Sequence, residues 1–175
     1  MRNEGAPALG SLGRVPRLLV VHHAPTPAVR RLADAVVAGA SDDAIEDVEV
    51  VVRQALEAHA DDVLGADGFV LGTPANFGYM SGALKHFFDS IFLQAGGALT
   101  DDGSAGASAG GRRPYGLWVH GRYDTTGAVR SVQSIVGALP WTQAAPVLEV
   151  LGDVGAEHEA AAYELGATVA ALVAG

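Results

Sequence analysis

Three segments of this 175-residue chain concentrate His, Thr, Gly and aromatic residues in patterns suited to holding a ligand. The first is His22-His23-Ala24-Pro25-Thr26-Pro27. Thr26 then Pro27 reads as an N-cap followed by a first helical residue, a place where the missing proline N–H is no loss. A helix start presents unpaired N–H groups and the positive end of its dipole, so a phosphate could sit there. The Thr26 hydroxyl and His23 would add donors. Neighbouring residues of a strand point to opposite faces, so only one of the two histidines can face such a ligand. The plain alternative is that both histidines finish a strand and Thr26 only caps. A His–His metal site is not expected, because the side chains are opposed and a third ligand is missing.

The second segment is Gly72-Thr73-Pro74-Ala75-Asn76-Phe77-Gly78-Tyr79-Met80-Ser81-Gly82. Its glycines and proline fix an irregular path along which backbone can approach a flat ligand. Thr73 and Asn76 supply polar groups, and Phe77, Tyr79 and Met80 supply apolar surface for a ring. An ordinary strand-to-helix loop with aromatics plugging the core is the bland alternative. The third segment, His120-Gly121-Arg122-Tyr123-Asp124-Thr125-Thr126-Gly127, likewise opens a helix.

Around these segments the chain alternates short apolar runs with helical patterns, the mark of an α/β chain with a parallel sheet. Strands are expected at Arg17–His22, Val48–Arg53, Gly68–Leu71, Gly116–His120 and Pro146–Leu151. Glu49 and Arg53 mark the second as an edge strand, and Glu149 suggests the other edge. Helical faces are read from Val29, Leu32 and Val36, from Leu84, Phe87, Phe88 and Ile91, from Val129, Val132, Val136 and Leu139, and from Ala162, Leu165 and Val169. In an open parallel sheet, ligands bind beyond the carboxyl ends of the strands, where all three segments lie.

Composition narrows the function. The hydrophobic fraction of 49% excludes a disordered chain, and no apolar run is long enough to span a bilayer. Ten Arg, one Lys and a net charge of −9 argue against nucleic acid and anionic membranes. The absence of Cys excludes disulfides, thiolate nucleophiles and Cys-based metal clusters. Residues 1–16 are expected to be a disordered lead-in without the apolar core of a signal peptide, so the expected location is the cytoplasm. Residues 95–113 read as a flexible Gly-, Ala- and Ser-rich insert in a single domain spanning 17–175. Gly106-Ala107-Ser108-Ala109-Gly110 fits the serine-hydrolase G-x-S-x-G, but it lies in low-complexity sequence without the strand and helix that motif needs.

The run Leu71-Gly72-Thr73-Pro74-Ala75-Asn76-Phe77-Gly78-Tyr79-Met80-Ser81-Gly82-Ala83-Leu84-Lys85-His86-Phe87-Phe88-Asp89 resembles the ring-binding loop and following helix of the flavodoxin-like NADPH-dependent FMN reductase family. The shared pattern is a G-S/T-P start, an aromatic and glycine turn, then S-G-x-L-K and a helix ending in F-x-D or F-F-D. The order of elements agrees from Leu18 to Leu172.

The resemblance implies a flavodoxin-like three-layer α/β sandwich with a five-stranded parallel sheet in order 2-1-3-4-5. FMN would lie across the ends of strands one, three and four. Its phosphate would sit on the His22–Thr26 loop, with His23 and Thr26 as contacts. Its ring would lie against Thr73, Pro74, Ala75, Asn76, Phe77, Gly78, Tyr79 and Met80. His120, Gly121 and Tyr123 would close the other side. Arg122 and Asp124 depart from the Gly and small polar residues expected there, and Arg122 would either meet a phosphate of NADPH or remain a solvated cation. This chain departs from flavodoxins in offering Thr26 alone where they carry several hydroxyls.

No catalytic side chain and no metal are implied. Lys85 and Asp89, four apart on a helix, read as an ion pair. The implied activity passes electrons from NADPH or NADH through FMN to a quinone, a flavin or another small acceptor. Small-molecule substrates and a homo-oligomer, dimer or tetramer, go with it. Two alternatives stay open: a flavodoxin-type FMN electron carrier without NAD(P)H turnover, and a flavin-free binding module on the same fold. The G-x-G-x-x-G dinucleotide fingerprint and the P-loop are both missing after the first strand.

Overall fold

A computed structural model describes residues 13–95, 112–139 and 141–175. The near-continuous apolar run Arg17–His22 forms β1, an interior strand buried on both faces. It pairs in parallel with β2 (Glu49–Gln54) on one side and β3 (Gly68–Asn76) on the other. β3 continues in parallel to β5 (Arg113–Gly121). Between them along the chain comes β4 (Tyr79–Met80), a two-residue strand folded back antiparallel on the end of β3.

The sheet therefore has seven strands rather than five. The last position is shared by two short strands. β6 (Trp141–Gln143) pairs with Arg113–Tyr115, and β7 (Leu148–Leu151) pairs with Trp118–Gly121. A single fifth strand was expected at Pro146–Leu151. The chain instead breaks between the two pieces, where Pro146 has no N–H to give to a ladder. Counted by position across the sheet, the expected order holds, with β2 at one edge and β6 and β7 at the other. β3 also runs five residues beyond its expected end at Leu71, through Pro74 to Asn76.

Two layers of helix cover the sheet. α1 (Pro27–Ala40) and α5 (Ala156–Ala174) bury Val29, Leu32, Val36, Leu165 and Val169 against Leu18, Val20, Val70 and Trp118. α2 (Ala60–Leu64), α3 (Gly82–Ala95) and α4 (Thr126–Ala138) cover the opposite face, against Leu19, Val21, Phe69, Leu71, Leu117 and Val119. This alternation of Leu18 and Val20 with Leu19 and Val21 is the period of two that a doubly covered strand requires. At the amino end of the sheet Phe69 stacks on Trp141 with ring centroids 3.8 Å apart. Arg113 lies over the same Phe69 ring and donates to the Val63 and Ala66 carbonyls, fixing the end of α2.

The edge strands carry the expected charges. Glu49 pairs with Arg17 at 2.9 Å and Arg53 with Asp62 at 3.1 Å. Lys85 and Asp89 form the expected pair at 2.6 Å. The expected lead-in 1–16 and insert 95–113, with the motif around Ser108, lie outside the described residues, except for 13–16, 95, 112 and 113. Among these Arg14 pairs with Asp67, Ala95 ends α3 and Arg113 opens β5.

Candidate functional site

The three segments singled out in the sequence leave the carboxyl ends of β1, β3 and β5, which are adjacent in the sheet. The first turns sharply from β1 into α1. His23 N–H donates to the Gly72 carbonyl at 3.0 Å, so the strand pairing outlasts β1 by one residue. Thr26 then caps α1: its backbone is extended and its Oγ1 accepts from Val29 N–H at 3.4 Å. Pro27 brings no N–H, and the Arg30 N–H goes to the Thr26 carbonyl. The Ala28 N–H is the donor of that first turn left to a ligand, together with the exposed Thr26 hydroxyl.

Both histidines have Nδ1 buried without a hydrogen-bond partner among the described residues. His22 is 6% exposed and faces α1. Its pKa is pushed down by burial, an effect that Asp34 opposes and His23 reinforces.

The second segment is a hairpin. Ala75 pairs with Met80 and Asn76 with Tyr79, and the two residues between them have φ of 53° (Phe77) and 75° (Gly78). Both central residues in left-handed conformation make a type I′ turn, the form that matches strand twist. Glycine takes such a conformation freely, whereas a bulky residue like Phe77 takes it at a cost. Phe77 stands fully exposed at the tip, with Asn76 and Tyr79 exposed on either side.

Underneath, Thr73 holds the hairpin to α3. Its buried hydroxyl donates to the Pro74 carbonyl at 2.8 Å and accepts from Ser81 N–H at 3.0 Å. Ser81, also buried, accepts from Leu84 N–H at 3.2 Å and so caps α3.

The third segment is pinned to the loop after β7. His120 Nε2 lies 2.7 Å from the Gly152 carbonyl, and Gly152 N–H donates to the Gly121 carbonyl at 2.9 Å. Arg122 pairs with Asp153 at 3.1 Å, in the open. Tyr123 is 89% exposed. Asp124 accepts from Thr126 N–H at 3.0 Å, and this bond lowers its pKa. Buried Thr125 donates to Glu149 on β7 at 2.5 Å. The second and third segments meet where the Gly78 carbonyl packs on Gly127, at the start of α4.

The expected contacts thus divide. His23, Thr26, Ala75, Asn76, Phe77, Gly78, Tyr79 and Tyr123 are fully or partly exposed at this edge. Thr73, Pro74, Met80 and Gly121 are buried beneath it. The Thr73 and Met80 side chains, expected to meet a ligand, face inward. The Thr73 hydroxyl is engaged internally, and Met80 sits in the core with Leu84 and Phe88. The His120 ring is likewise tied to Gly152. Sequence reasoning placed Ser81 in the motif before α3 but missed its bond to Thr73, and it missed Gly127 and the Thr125–Glu149 bond. Ser81 was legible as a Ser opening an apolar helix. The other two join residues far apart in the chain and had no local signal.

A family model described as NADPH-dependent FMN reductase matches residues 25–141, more than half of the chain. The chain belongs to that family. A flavodoxin of Aquifex aeolicus is 36% identical over 75 residues, which is 43% of this chain and 40% of the relative. An NAD(P)H dehydrogenase (quinone) of Acidithiobacillus ferrooxidans is 31% identical over 93 residues, 42% of this chain and 46% of the relative. The chain thus spans less than half the length of either relative. A solved archaeal flavodoxin superposes with a TM-score of 0.72 at 15% identity, over 90% of this chain and 98% of that one, which shows the flavodoxin-like fold.

The donor set fits the cofactor of this FMN reductase family. A phosphate would find the Ala28 N–H, the Thr26 hydroxyl and the half-exposed His23 imidazole. A flat ring would find Phe77 and Tyr123, neither of which has cover of its own. Among the described residues no cluster of three metal-ligating side chains occurs, and no helix is long and apolar enough to cross a membrane.

Proposed function

We propose that the protein is an FMN-binding oxidoreductase that passes electrons from NAD(P)H to a quinone, a flavin or another small acceptor. The observation that carries this reading is Phe77. Its turn position favours Asn, Asp or Gly, yet a bulky aromatic occupies it with the ring wholly in solvent. Strain of this kind persists where function requires it. A flat ligand on the adjoining strand ends gives the exposed ring its purpose.

FMN bound there would accept hydride from a reduced nicotinamide and pass the electrons on. The chain's part is to hold, orient and shield. Thr26, His23 and the Ala28 N–H take the phosphate at the start of α1. Backbone N–H groups of Ala75–Gly78 stabilise negative charge that develops on the ring. Asn76, Tyr79, His120 and Gly121 frame it, while Phe77 and Tyr123 exclude water from its faces. No side chain acts as an acid or base in this reading. The proposal extends to a cytoplasmic homo-oligomer with small-molecule substrates, whose mass sedimentation velocity would report.

The test is reductive. Protein loaded with FMN and desalted is mixed with NADPH without oxygen. The flavin band is expected to bleach and to return when benzoquinone is added. A second reading, an electron carrier, draws on the similarity to the Aquifex flavodoxin and on the −9 charge, which suits basic redox partners. Retained FMN that NADPH leaves oxidised would favour the carrier and contradict the reductase.

A further inference from the structure

We propose that Arg122 binds a phosphate of the nicotinamide dinucleotide and that Asp153 holds its place until the donor arrives. This rests on the reading of the site as an FMN-dependent reductase and adds to it the residue that recognises the donor.

The loops at the carboxyl edge of the sheet are residues 23–26, 55–59, 76–81, 121–125 and 152–155. Together they contain one Arg and no Lys, and the Arg is Arg122. Its neighbours at that edge are acidic: Asp124, Asp153 and Glu149. A dinucleotide carrying two pyrophosphate charges, or those and a 2′-phosphate, must approach this edge of a chain with net charge −9. Two guanidiniums reach this edge: Arg31 is held by the Val154 carbonyl and Glu159, whereas Arg122 is held by one open carboxylate and so is the one placed to offset the repulsion. It directly precedes Tyr123, so the cation and the exposed aromatic leave the same strand end.

The pairing with Asp153 looks like storage rather than construction. The side chains are 66% and 98% exposed, and ion pairs so open to water contribute little. The two loops are already joined by the His120–Gly152 and Gly152–Gly121 bonds, which do not involve Arg122. A guanidinium matches a phosphate as well as a carboxylate, with two parallel N–H donors. Exchanging one carboxylate for one phosphate therefore leaves the loops in place.

The experiment titrates FMN-loaded protein with NADP+ and with NAD+, following heat. Arg122→Ala is expected to weaken binding about 10- to 100-fold, the usual loss for a charge-assisted contact. Asp153→Asn, which removes the competing carboxylate, is expected to tighten it about two- to fivefold. An effect of Arg122→Ala on NADP+ alone assigns the contact to the 2′-phosphate. An effect on both nucleotides assigns it to the pyrophosphate. Binding unaltered by Arg122→Ala, binding weakened by Asp153→Asn, or wild-type protein that holds FMN but takes up neither nucleotide would overturn the proposal. The flavin absorbance of the same desalted sample separates these outcomes from failure of the cofactor reading, which would show as colourless wild-type protein.

Discussion

The carbonyl oxygen of Gly78 lies 2.1 Å from the point where a Cβ on Gly127 would stand. The hairpin turn after β3 therefore rests directly on the first turn of α4, and a methyl group at 127 would push it off. Gly127→Ala is expected to destabilise by about 1–3 kcal/mol, as overpacking does, and to weaken FMN binding about tenfold or more by displacing Phe77 and Gly78. Gly137, in the same helix, has open space where a Cβ would go. Gly137→Ala should stabilise by about 0.5–1 kcal/mol and leave FMN affinity as it is. Thermal melts and FMN titrations of the two variants make the comparison.

Phe77 should show a trade between stability and binding. Replacing it with Asn, which takes φ near 53° more readily, is expected to stabilise the apoprotein by about 1 kcal/mol. The same change removes the exposed ring and should raise the dissociation constant for FMN. A variant no more stable than wild type would mean that the turn is not strained by its aromatic residue.

Much of this architecture was legible. β1 and the start of α1 match their expected residues because an apolar run followed by Thr-Pro is a strong local signal. The hairpin was not legible, since Asn76-Phe77-Gly78-Tyr79 lacks the Asn-Gly or Asp-Gly pair that marks such turns, and Pro74 reads as loop although it continues β3. The divided last strand also escaped, because β6 and β7 are placed by different stretches of β5 rather than by their own pattern. At the site, exposed residues such as Phe77 and Tyr123 stood out by type. The inward turn of Thr73 and Met80 depends on partners eight and four residues away, which periodicity does not reveal.

The buried Thr73 hydroxyl links the hairpin to α3, so Thr73→Val should leave Ser81 N–H without its acceptor. Loss of a buried partner costs about 1–3 kcal/mol, and urea unfolding would show it as a lower midpoint with the slope unaltered.

The loop proposed to take the phosphate leads into α1, and α5 holds α1 through a close crossing. A Cβ on Gly166 would lie 2.0 Å from the Val36 carbonyl oxygen, and one on Gly39 1.9 Å from that of Tyr163. Both contacts are with backbone, which cannot swing aside. Gly166→Ala is expected to destabilise by about 2–3 kcal/mol, measured by chemical unfolding.

His22 gives the fold a pH dependence. Burial lowers its pKa below the ordinary 6.5, more than Asp34 raises it, and His23 lowers it further. Below about pH 6.5 the unfolded chain takes up a proton that the folded chain refuses. Stability from this source is complete above that value and declines as the pH falls towards the folded pKa. Unfolding midpoints of wild type and His22→Asn at about pH 7.5 and about pH 5.5 isolate the effect. The wild type should lose more on acidification, and an equal loss would assign the decline to other groups.

The central claim, that the edge formed by the loops after β1, β3 and β5 holds FMN, is tested most directly by a visible absorption spectrum. Purified protein is mixed with FMN, passed through a desalting column and scanned, with riboflavin as a parallel sample. The account predicts a protein-bound flavin spectrum with FMN and a weaker one with riboflavin, which lacks the phosphate. Colourless protein in both samples would contradict it.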